Sequence, residues 1–233
     1  TFCKARNTIK NIYEIDKVAL KMVDEIKDLG VIFDTRLTFK DHYNSLFKKA
    51  MNMWGFIWRH CYMLSPSSLK TLYCSLVRSQ LEYCSSVWFP YYKVDVDRLE
   101  RIQNKFLRCI EFKLHWRHDL GNYEYVREFM NIPTLHVRRI LTDGCILHGI
   151  INDHPIAPDI LSRLCFYVPT SNVRSTRGVK TFRIPLSNTR LGSNHPVNRQ
   201  MELGNKFAAF GSFDLFSSSK TLFRKNFLSV LNN

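Results

Sequence analysis

The hydrophobic period of this chain changes at Thr38. Before it, apolar residues alternate or run together as in strands. After it, they recur at three- and four-residue steps. That change restricts the fold to a small β-unit followed by packed helices, an α+β chain that is mainly α.

In the first part, Ile12, Tyr13 and Ile15 make a short apolar run, Asp16-Lys17 can turn, and Val18, Leu20 and Met22 alternate. Ile26 to Phe33 (IKDLGVIF) reads as a buried strand containing Gly30, closed by Asp34-Thr35. A unit of two or three strands is marginal alone, so residues 1–37 are expected to pack on something else. The chain opens with Thr1, inside what reads as a strand, which suggests a fragment.

Residues 38–112 form the helical region. Thr38-Phe-Lys-Asp41 resembles a capping box, and Tyr43, Leu46, Phe47, Ala50, Trp54, Ile57 and Cys61 share one helix face. Ser65-Pro66 opens a second helix as N-cap and first helical residue. Its apolar face is Leu69, Leu72, Tyr73, Leu76, Val77 and Leu81. A third helix, starting near Asp95 or Asp97, buries Leu99, Ile102, Phe106, Leu107 and Ile110.

Residues 113–233 form a helical and irregular basic extension. Tyr123 to Met130 reads as a brief helix, and Thr134 to Ile151 as a longer one, apolar on most sides and so buried. Residues 152–200 hold five of the eight prolines and read as irregular chain with short β-segments such as Val179 to Ile184. An amphipathic segment from Leu203 to Leu231 closes the chain.

The net charge of +14, from 34 basic and 20 acidic residues, favours nucleic acid or an anionic membrane surface as partner. A soluble basic protein without a polyanion partner is the plainer alternative. Membrane attachment has little support. No run approaches the roughly 20 apolar residues of a spanning helix, and no basic amphipathic segment carries bulky insertion residues. With no signal peptide and seven widely spaced cysteines, the chain reads as intracellular, nuclear or cytoplasmic, with reduced cysteines in its core.

Two basic features stand out. Arg98, Arg101, Lys105 and Arg108 fall within about 80° of one another on a helix, opposite its apolar face, a row that suits phosphates or is simply solvated. Between Asp159 and Glu202 there is no acidic residue, while Arg163, Arg174, Arg177, Lys180, Arg183, Arg190 and Arg199 are basic. The alternative for that stretch is a flexible loop without a fixed partner. Among the aromatic residues, Trp54 lies on an apolar stripe and reads as core, whereas Trp58 and Trp88 could sit at a surface or a domain contact. His115-Trp-Arg-His118 and Cys145-x-x-His148 lack a second pair at zinc spacing, and His148 reads as a core histidine. There is no G-x-S-x-G, no P-loop, no G-x-G-x-x-G and no Asp-Asp dipeptide, and Asp95 and Asp97 suit a helix start.

Several blocks, in order, resemble a known family. They are Ile26-Lys-Asp-Leu-Gly-Val-Ile-Phe-Asp34 with Leu37-Thr-Phe39 and His42; Lys49-Ala50 with Gly55-Phe56-Ile57-x-Arg59; Leu69-Lys-Thr-Leu-Tyr-Cys-Ser-Leu-Val-Arg78; Leu81-Glu-Tyr83 with Val87-Trp88-x-Pro90; and Leu99-Glu-x-Ile-Gln-Asn-Lys-Phe-Leu-Arg108. Arg138-Arg139, Asp143, Phe166-x-Val-Pro169 and Arg177 also fit. The likeness is to reverse transcriptases of jockey-like and I-element-like non-LTR retrotransposons, in the segment after the catalytic palm.

The resemblance implies that Leu29, Gly30 and Val31 correspond to the primer grip, and that the helices to about 112 are the thumb that follows a template–primer duplex of RNA or DNA. It also implies that the catalytic aspartates, the fingers and the magnesium site lie upstream of Thr1. The expectation is sequence-nonspecific duplex binding, without polymerisation and without a cofactor in this chain, through Arg98, Arg101, Lys105, Arg108, Arg174, Arg177, Lys180 and Arg183. The alternative is a stand-alone basic helical nucleic-acid-binding protein recruited by a host.

Overall fold

The computed structural model describes residues 12–116, 122–152, 158–167, 180–208, 215–216 and 219–231. The chain is mainly helical with a small amino-terminal β-unit, and it divides into two compact units. One comprises residues 1–84 and 104–118, the other residues 85–103 and 119–233.

The first unit begins with two antiparallel hairpins: β1 (Glu14–Ile15) with β2 (Val18–Ala19), and β3 (Glu25–Asp28) with β4 (Val31–Asp34). Asp16 and Lys17 make the first turn at φ 51° and 65°, as the sequence suggested. The second turn is a correction. Ile26 to Phe33 is not one buried strand, because Leu29 and Gly30 take φ 42° and 86° and fold it back on itself, pairing Asp28 with Val31. Positive φ at both central residues is the tight two-residue turn that matches strand twist. Val31 is buried, whereas Glu25–Asp28 is exposed. The strand expected around Thr1 lies outside the described residues.

Helix α1 (Lys40–His60) buries His42, Tyr43, Leu46, Ala50, Trp54 and Ile57. Its start differs from the capping box expected at Thr38 and Asp41. The carboxylate of Asp34 accepts instead, from the N–H groups of Arg36 (2.9 Å), Thr38 (3.1 Å) and Phe39 (2.7 Å) and from the Thr38 hydroxyl (3.0 Å). Burial pushes this carboxyl up, but those hydrogen bonds prevail and hold it below its ordinary value.

Helix α2 (Pro66–Leu72) starts as expected, with the Ser65 hydroxyl accepting from the Ser68 N–H and Pro66 in the first turn. A π-helical turn, Tyr73–Arg78, leads into α3 (Ser79–Glu82). Leu69, Tyr73, Val77 and Leu81 are each 0% exposed, at four-residue steps. In an ideal helix such steps drift by about 40° each, and the wider π turn absorbs that drift. Helix α4 (Lys93–Lys113) runs through both units. In the first, its Phe106 stacks on Tyr73 (4.3 Å between centroids, 10° between planes) and meets Trp54 edge-on at 6.0 Å.

The second unit contains the start of α4 with α5 (Glu124–Met130), α6 (Leu135–Asn152), α7 (Pro158–Leu161), α8 (Arg190–Ser193), α9 (Pro196–Ala208) and α10 (Lys220–Leu231). Its core joins Leu141, Leu147, Phe182, Met201, Phe207, Phe223 and Phe227. Of the β-content expected near 179–184, the described residues show one bridge, Phe166 to Phe182, and Val179 lies outside them. Residues 190–200, expected to be irregular, are largely helical, and the single closing segment is two helices. Trp88, expected at a surface or a domain contact, is fully buried, with the Arg139 guanidinium 5.5 Å from its ring. Of the cysteines placed in the core by sequence, Cys109 alone is buried among the described residues; Cys84 and Cys165 are exposed, and Cys3 lies outside the description.

Candidate nucleic-acid interface

Helix α4 buries Leu99, Ile102, Gln103, Phe106, Leu107, Cys109 and Ile110. Its opposite side therefore faces solvent, and there Arg101, Lys105 and Arg108 are exposed while Arg98 is half-buried. On one continuous helix the three exposed cations fall within about 60° and span roughly 10 Å. Among the described residues none of the three has a carboxylate within ion-pair distance.

Lys105 and Arg108 also border a groove of about 500 Å³ between α1 and α4 in the first unit. Trp54 and Cys109, both buried, form its floor together with Gly55. Trp58 (47% exposed) and Phe112 (76% exposed) stand along it. Among the described residues no acidic side chain lines it. The sequence placed Trp58 near a surface, but it gave no sign that Phe112 would join it.

The turn compared above with a primer grip borders a second cavity, of about 550 Å³, lined in part by Lys27, Gly30, His42, Lys49, Ser79 and Tyr83. Leu29 is 82% exposed, and its carbonyl accepts from the Tyr83 hydroxyl at 3.0 Å. His42 Nδ1 accepts from the Ile32 N–H at 3.4 Å. Burial, aided by the Lys49 charge, lowers this imidazole to about 4, so it is neutral at pH 7.

Of the carboxy-terminal candidates, Lys180 and Arg183 are exposed on either side of the Thr181-Phe182 pair, and Phe182 is pinned by Asn205 through its N–H (2.8 Å) and carbonyl (2.9 Å). Arg174 and Arg177 lie outside the described residues. Arg199 departs from the expectation of a stretch without compensating acid. Its guanidinium donates to both oxygens of buried Asp143 (2.6 and 3.3 Å) and to the carbonyls of Asn194 (2.9 Å) and Ser86 (2.7 Å). It also lies 4.3 Å from the Phe89 centroid. Arg127 is used likewise, 3.3 Å from Glu100, whose other oxygen accepts from the Leu135 N–H at the start of α6. Burial pushes the Glu100 carboxyl up, against the pull of Arg127, the Leu135 N–H and Arg139.

His148 is buried against Phe223, with ring centroids 4.5 Å apart. Among the described residues no three of His, Cys, Asp and Glu gather into a metal-holding group, and no helix is long and apolar enough to cross a membrane. No family model, curated protein or solved structure matches this chain. What the fold defines is therefore a class, a basic and mainly helical chain with a small β-unit.

Proposed function

We propose that this chain holds a nucleic-acid duplex by its phosphates, independently of sequence, as the thumb-side part of a non-LTR retrotransposon reverse transcriptase. The observation that carries the binding is the α4 row: Arg101, Lys105 and Arg108 exposed in helical register, with no carboxylate partner among the described residues. Phosphate charges recur about every 3.4 Å along each strand of a duplex, so a row of roughly 10 Å faces more than one of them. Such contacts position a protein without reading bases.

The assignment to a polymerase rests on the ordered sequence blocks, and two structural features support it. The helices follow a β-unit, as the resemblance implies. That unit also leaves Ile12, Ile15, Val18, Leu20, Met22 and Ile26 each at least half exposed. An apolar β-surface of this kind marks an interaction site, and in this reading the rest of the palm covers it. In this reading the catalytic aspartates and their magnesium belong to the palm, and this chain's part is to bind the duplex.

The test is a salt titration of duplex binding by the protein and by a variant carrying Arg101→Ala, Lys105→Ala and Arg108→Ala. The plot of log affinity against log salt should flatten by about 3, since each phosphate contact contributes nearly one unit of slope. An unchanged slope removes α4 from the binding face.

A further inference from the structure

The groove beside Lys105 and Arg108 is more than a phosphate row requires. A duplex backbone needs cations; it does not need two exposed aromatic rings standing over an acid-free trough. We infer that this groove takes an unpaired nucleotide, its base stacking on Trp58 and Phe112 while Lys105 and Arg108 hold the flanking phosphates. The inference deepens the reading of α4 as a nucleic-acid face and rests on it.

Three observations converge. The first is charge: the lining carries two cations and no carboxylate, which favours a polyanion over an apolar or basic peptide. The second is size and composition. A volume of about 500 Å³ is that of a small-ligand site, and aromatic faces beside cations are how single strands are held without regard to sequence. The third is Gly55. It lies in the interior of α1, where glycine weakens a helix relative to alanine. A Cβ there would meet nothing within 4 Å, so the fold itself has no need of a glycine. The missing methyl instead keeps the groove floor open to whatever lies in it.

The experiment compares three probes on the purified protein, by tryptophan fluorescence and by competition: a dodecamer of deoxythymidine, an abasic dodecamer of equal charge, and a duplex. The thymidine strand should bind roughly tenfold or more tightly than the abasic one, the worth of base stacking on an aromatic ring, and should quench Trp58. Trp58→Ala and Phe112→Ala should each shrink that ratio several-fold without moving duplex affinity. Both side chains are exposed, so the fold should tolerate these changes. Gly55→Ala should raise the melting midpoint by a few degrees yet weaken thymidine-strand binding, an outcome that misfolding cannot imitate.

Equal binding of the thymidine and abasic strands, or a ratio indifferent to Trp58→Ala, overturns the inference while leaving the duplex reading intact. Discrimination between the strands without duplex binding would sink the duplex reading and spare the groove.

Discussion

Basic residues and glycines are used in two ways in this chain, and particular positions of the two units show the difference. In the second, Arg199 is turned inward onto Asp143, and Arg127 onto Glu100. Gly144 and Gly204 there are sites of close approach, where a Cβ would come within 2.7 Å of Phe227 and 2.6 Å of Phe182. In the first, Lys105 and Arg108 stay exposed beside a groove, and Gly55 faces open space. The same residue types thus knit the second unit together at these positions and stand exposed at others, Arg101, Lys180 and Arg183 of that unit among them. Residue type alone does not separate the inward positions from the exposed ones; the presence of an internal partner does.

The sharpest way to break this contrast is Asp143→Ala. It strands the Arg199 guanidinium, whose side chain is only 14% exposed. Removing one member of a buried pair should cost about 3 kcal/mol or more, read as a lower urea midpoint. Adding Arg199→Met should recover part of the loss, because an apolar residue tolerates the site that an unneutralised charge does not. Lys105→Ala and Arg108→Ala should each stay within about 0.5 kcal/mol of the parent. If they destabilise as Asp143→Ala does, the two surfaces are not different in kind.

Gly144→Ala comes next. Its methyl would meet the Phe227 ring at 2.7 Å, and overpacking of this order costs about 1–3 kcal/mol. Gly55→Ala has the opposite sign, a gain of about 0.5–1 kcal/mol. Measured side by side by chemical denaturation, the pair tests whether each glycine is held by packing or by what lies outside the chain. Two losses of similar size would erase the distinction.

How much of this was legible follows from sequence separation. The helix faces were readable because each is a local period, and the rows Tyr43 to Ile57 and Leu99 to Ile110 are buried largely as their spacing implies. The second hairpin was not. IKDLGVIF has apolar residues on both sides of its turn, and leucine in a left-handed position carries none of the Asn-Gly signal of such turns. The cap of α1 comes from Asp34, which reaches forward from outside the Thr38–Asp41 pattern. Arg199 looked free because its partner lies 56 residues away. The Trp58–Phe112 groove needs two helices some fifty residues apart, and no local pattern joins them. The polar partners across elements are the part that periodicity does not encode.

The gentlest test is acidification, silent at pH 7. His42, in the first unit, is held neutral down to about 4 against an ordinary 6.5. Below 6.5 the unfolded chain takes up a proton that the fold refuses, so stability falls with pH until about 4 and then levels. Glu100, in the second unit, is displaced the other way. Its folded carboxyl protonates above the ordinary 4.5, so the fold takes the proton first and gains stability as pH falls through that raised value to 4.5. His42→Gln should therefore flatten the acid decline, whereas Glu100→Gln should steepen it by removing the opposing gain. Melting midpoints between pH 7 and 4 read both slopes. A shallower decline in Glu100→Gln would mean that the carboxyl is held charged by Arg127 more strongly than burial opposes it, and Glu100 would then belong with Asp143 as a structural anion.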